Sequence, residues 1–110
     1  MTFTDEAAEL LDVIEQGVMA WKTTPTADHH ARKTAEALHT LKGSAGMAGI
    51  DDVRELASSL REQVLAKDTA GTPPPDPEWF GGMEASVESL YQMLDAHRTG
   101  MVPPQAPQPA

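Results

Sequence analysis

No cysteine occurs among the 110 residues, which excludes a disulfide framework and any thiolate metal site. No stretch approaches the ~18 consecutive apolar residues that a membrane-spanning helix needs. Positive charge is scarce. Eight Lys and Arg stand against 17 Asp and Glu, for a formal net charge of −9 at pH 7. That balance argues against holding nucleic acid or an anionic membrane through bulk electrostatics. The acidic first residues lack the basic-then-apolar pattern of a signal peptide, and together with the missing cysteine this fits a cytoplasmic protein. No phosphate-cradling glycine loop, HExxH helix or nucleophile triad appears. The chain is therefore expected to have no ATP site, metal or cofactor of its own. It shows no internal repeat and no convincing strand pattern.

What the chain does have is enough apolar material, 40% of its residues, for one small core without staples. That material falls at helical spacing. Phe3, Ala7, Leu10, Ile14, Val18 and Trp21 mark a first helix, with Thr4 as its cap and an end near Lys22, before Thr24-Pro25. Gly17 weakens its middle slightly. Asp28 is the expected cap of a second helix, whose stripe is Ala31, Ala35, Leu38, Leu41 and Ala45. The run Gly46-Met47-Ala48-Gly49-Ile50 ends it by glycine punctuation.

Asp51 or Asp52 should cap a third helix with Val53, Leu56, Leu60 and Val64 inside, ending near Lys67-Asp68. A Pro- and Gly-rich loop follows. Asp76-Pro77-Glu78 then reads as cap, first-turn proline and first-turn acid. Met83, Val87, Leu90, Tyr91 and Leu94 give the inner side of a last helix, from which Gly81-Gly82 is expected to break off a leading turn. Four such helices on short connections predict an all-α, antiparallel up-down-up-down bundle over residues 1–98. Residues 99–110, rich in proline, are expected to be a disordered tail or linker.

Charge is also unevenly placed. Residues 4–21 hold five acids and no base, whereas residues 28–46 hold Arg32, Lys33 and Lys42 against Asp28 and Glu36. This second helix carries the run Ala37-Leu38-His39-Thr40-Leu41-Lys42-Gly43-Ser44-Ala45-Gly46. Its His39, Lys42 and Gly43 stand at i, i+3 and i+4, on one helix face. A glycine inside a helix costs about 1 kcal/mol relative to alanine. Side chains lean toward the helix N-terminus, so a larger residue at 43 would lean over the His39 ring. Glycine leaves that imidazole open to a partner, with the Lys42 ammonium beside it. Such a pair suits a histidine that carries a phosphoryl group.

The other histidines read differently. His29 and His30 are adjacent, about 100° apart around a helix, and make a poor joint metal site. His97, near a helix C-terminus, complements the helix dipole. Met47, Met83 and Met93 are expected to fill the core or its rim.

The segment from His39 to Gly49 resembles the phosphorylation motif of histidine phosphotransfer (HPt) domains, most closely those at the N-terminus of chemotaxis-type histidine kinases. Glu6-Ala7-Ala8-Glu9-Leu10-Leu11 and Leu56-Ala57-Ser58-Ser59-Leu60 are similar to flanking helices of that group. The resemblance implies a four-helix bundle whose second helix exposes His39 as phosphoacceptor. It implies exchange with an aspartate of a response-regulator receiver domain, downstream of a sensor or hybrid histidine kinase. Lys42 would neutralise phosphate charge, and Gly43 and Gly46 would belong to the surface that the receiver meets. Mg2+ is expected on the receiver, and the chain itself is expected to act as a monomeric phosphocarrier.

One position departs from that pattern. Chemotaxis-type phosphotransfer domains carry a glutamate that accepts the imidazole N–H where Arg61 stands here, and a histidine of some members aligns with Ser58. A guanidinium only donates, so Arg61 is assigned instead to the phosphoryl oxygens. Glu62 points about 100° away around the helix. Two alternatives remain open at this level. The chain is the phosphoacceptor part of a larger chemotaxis-type kinase, or it is a helical adaptor that binds receivers without being phosphorylated.

Overall fold

Each of the four apolar stripes becomes one helix. The computed structural model describes residues 3–24, 28–67 and 75–99. Helix α1 spans Phe3–Thr23, α2 Asp28–Ala48, α3 Asp51–Lys67 and α4 Pro77–Thr99. Helix α2 packs on α1 and α3, and α4 packs on the same two from the other side. The result is an all-α, up-down-up-down four-helix bundle. Residues 68–74 and 100–110, which hold most of the expected loop and tail, lie outside the described residues, and α4 runs through Thr99, one residue past the expected boundary at 98.

The core is built from the predicted stripes with local shifts. Ala31, Ala35, Leu38, Leu41 and Ala45 of α2 are all buried. On α1, Leu11 is buried, and Leu10 and Phe3 only pack against the core from its edge. On α3, Ala57 is buried and Leu56 partly so. Phe80 joins Met83, Val87, Leu90 and Leu94 of α4 inside, with Tyr91 at the margin.

Helix ends follow local chemistry. The Asp76 carboxylate accepts the Trp79 N–H at 2.8 Å, the expected cap of α4. Gly81-Gly82 does not break α4. Both glycines face solvent while Phe80 and Met83 on either side are locked in the core. Trp21, Trp79 and Phe80 clasp the end of α1 to the start of α4, with ring centroids 5.1 to 5.4 Å apart and edge-to-face.

The end of α2 is a Schellman turn. Gly49 has φ +75°, the Ile50 N–H donates to the Ala45 carbonyl at 2.9 Å and the Gly49 N–H to Gly46 at 3.2 Å. The start of α3 differs from expectation. The Ile50 carbonyl already accepts the Arg54 N–H, so Asp51 and Asp52 lie inside the first turn and neither is the cap. Thr4 likewise lies inside α1, which already includes Phe3.

Candidate functional site

Helix α2 runs through the bundle with Leu38 and Leu41 fully buried, which turns His39 and Thr40 outward. His39 makes no hydrogen bond to any described residue, and Lys42, half-buried, makes no ion pair among them. The Thr40 hydroxyl donates back to the Glu36 carbonyl at 3.1 Å and so leaves the ring alone. A Cβ at position 43 would meet no heavy atom within 4 Å, so Gly43 has no neighbour that demands its smallness. Next to it, the Ser44 hydroxyl donates to Glu6 at 2.6 Å and ties this turn of α2 to α1.

Gly46 differs from Gly43. An added Cβ there would lie 3.2 Å from Arg54 Cδ on α3, so packing at the α2–α3 corner already favours a small residue. Met47, expected to fill core or rim, is 92% exposed and extends the outward surface past the two glycines. The apolar positions of that turn are taken by Ala45, which is fully buried.

Arg61 projects from α3 toward the same place. It lines a groove of about 430 Å3 between α2 and α3 together with Arg32, Glu36, His39, Thr40 and Leu65. Its Nε is buried and has no hydrogen-bond partner. A buried donor left unmade costs about 1–3 kcal/mol, so such an atom calls for an explanation. Glu62 is exposed, turned away from this groove as its place on the helix requires, and Ser58 is half-buried.

The family model of the Hpt domain matches residues 1–99. The chain belongs to the Hpt domain family. No curated protein and no solved structure gives a match. Histidine phosphotransfer within a phosphorelay is the role of this Hpt domain, and kinases and receiver domains are its classes of partner. Domains of this family are phosphocarrier modules. No described helix is long and apolar enough to cross a membrane.

The remaining histidines of this Hpt domain sit away from the groove. His29 and His30 rings lie 4.0 Å apart and tilted by 45°, closer than their angular spacing on the helix suggests. His97 does more than complement a dipole. Its Nε2 lies 2.9 and 3.2 Å from the two Asp52 carboxylate oxygens and joins the end of α4 to the start of α3. Asp52 also accepts the Val53 N–H at 2.8 Å. The 45-residue separation of that pair leaves no local sequence signal.

Proposed function

We propose that this Hpt domain relays a phosphoryl group between His39 and the phosphorylated aspartate of a response-regulator receiver domain. The observation that supports this most is the bare helix face around His39. The ring is exposed and unbonded, and the residue one turn on is a glycine with open space above it. A receiver can then bring its phosphoaspartate in line with a ring nitrogen.

The unprotonated ring nitrogen attacks phosphorus, a P–N bond forms and the P–O bond to the aspartate breaks. The electron pair leaves with the aspartate carboxylate, and the other ring nitrogen keeps its proton. Lys42, at i+3 from His39, supplies positive charge beside the transferring group. Gly43 and Gly46 keep the approach low, and Leu65 and Met47 offer apolar edge to the docked receiver. The divalent metal and acidic pocket that this chemistry uses are assigned to the receiver, with no metal or cofactor on this chain. A sensor or hybrid histidine kinase is the source of phosphate, and the domain acts as a cytoplasmic monomer.

The test is incubation with phosphorylated candidate receivers. An acid-labile, base-stable phosphoryl group is expected on the wild type and absent from His39→Gln, which should melt like the parent because the ring makes no contact that the fold needs. Label that persists in His39→Gln, or that maps to His29, His30 or His97, contradicts the assignment.

A further inference from the structure

We propose that Arg61 is a clamp for the phosphorylated state: its guanidinium receives the phosphoryl oxygens on His39 and makes this Hpt domain a phosphate store as well as a conduit. The inference rests on His39 being the phosphoacceptor.

Three observations lead to it. Arg61 and His39 line one groove although they belong to different helices. The Arg61 Nε is buried with no acceptor. The other side-chain donors that line the groove beside His39, Thr40 and Arg32, are engaged. The Thr40 hydroxyl is spent on the Glu36 carbonyl, and Arg32 has interactions of its own. A guanidinium cannot take the imidazole N–H, because it has no acceptor. A phosphoryl group carries three acceptor oxygens and about −1.5 to −2 charges, and the planar fork of arginine meets two of those oxygens at once. The unphosphorylated protein thus holds a donor with nothing to donate to, and phosphorylation of His39 supplies the acceptor.

The charged groups that line the groove with the ring are Arg32 and Glu36 from α2 and Arg61 from α3, and Lys42 stands at i+3 from His39 on α2. Glu36 opposes the clamp, and the three bases outweigh it once a phosphoryl group arrives. In hydrolysis of a phosphohistidine, water attacks phosphorus, a P–O bond forms as the P–N bond breaks, and the electron pair returns to the ring nitrogen, which takes up a proton as inorganic phosphate leaves. Arg61 slows that loss by binding the phosphoryl oxygens in the ground state.

The experiment uses potassium phosphoramidate, a small phosphodonor, so that no partner protein enters the readout. Wild type, Arg61→Gln, Arg61→Lys and His39→Gln are labelled and followed by 31P NMR, with circular dichroism melts as a folding control. The phosphohistidine of Arg61→Gln is expected to decay roughly three- to tenfold faster than that of the wild type, the range for losing a charge-assisted hydrogen bond in a partly solvated groove. Its 31P shift should move as well. Arg61→Lys should fall between, since it keeps the charge and loses the fork. Equal half-lives and 31P shifts in wild type and Arg61→Gln overturn the clamp and leave the phosphoacceptor assignment standing. An unlabelled wild type, or label that persists in His39→Gln, overturns that assignment and the clamp with it.

Discussion

Two glycines inside helices, Gly17 on α1 and Gly43 on α2, have opposite surroundings. Gly17 is buried against α2, and a Cβ there would collide with the Thr34 hydroxyl. Thr34 is fully buried and its hydroxyl donates to the His30 carbonyl at 2.8 Å, so it has nowhere to retreat. Gly43 is exposed, and a Cβ there would touch nothing. The same helix-weakening residue thus serves two ends. At the α1–α2 seam it allows two backbones to approach. On the outward face of α2 it meets no neighbour, which fits the proposed access to His39.

The comparison breaks most visibly at Gly17. Alanine there gains up to about 1 kcal/mol in helix propensity but overpacks the seam by about 1–3 kcal/mol. A net loss of about 1–2 kcal/mol is expected in urea denaturation. A Gly17→Ala protein as stable as the parent would mean that the seam yields easily.

A second structural contact lies far from the groove. His97→Ala should lower stability by about 1 kcal/mol through loss of the Asp52 contact, moderated by partial exposure. Phosphotransfer from a receiver should be unchanged in the same protein. A slowed transfer would show that the start of α3 helps to set the groove.

Gly43→Ala sharpens the contrast in the other direction. It should raise stability by up to about 1 kcal/mol, the full propensity gain with no clash to offset it.

The smallest effect is expected at Tyr91, whose hydroxyl donates to Asp12 at 2.7 Å across the α1–α4 seam. Burial first, then the Asp12 hydrogen bond and the neighbouring carboxylates, push its phenol well above the usual tyrosine range. An unfolded tyrosine ionises near pH ~10, whereas the folded one stays neutral. The stabilisation is therefore complete below that pH and fades as pH rises through the folded value. Tyr91→Phe should lose about 0.5 kcal/mol at neutral pH and flatten that alkaline decline. Ultraviolet titration of the chain's one tyrosine reads the shift directly.

Much of this was legible from residue order. The four helices follow from 3.6-residue spacing, Asp76-Pro77-Glu78 announces α4, and Gly49 sits where a left-handed residue must end α2. Adjacent apolar pairs were ambiguous. Leu10 and Leu11 differ by one position, and only the neighbouring helices decide which is enclosed. Propensity overstated the effect of Gly81-Gly82, since tertiary anchoring of Phe80 and Met83 carries α4 through.

At the site, the spacing of His39, Lys42 and Gly43 places them on one open face. The pairing of Gly17 with Thr34, and of His97 with Asp52, could not be read because each joins residues remote in sequence. Arg61 stood out only through the resemblance. Its shared groove with His39, and its unpaired Nε, required the packed bundle.

The most direct test of access as the reason for Gly43 is the rate of phosphotransfer from a phosphorylated receiver to Gly43→Glu, measured beside its thermal melt. Glutamate adds bulk and negative charge over His39, in open space that the fold does not use. The expected result is a bundle that melts close to the parent and a transfer rate reduced by at least about tenfold, as for loss of ~1.4 kcal/mol of transition-state binding. Transfer at the parent rate would contradict it, and Gly43 would then have no functional claim on the face that it leaves bare.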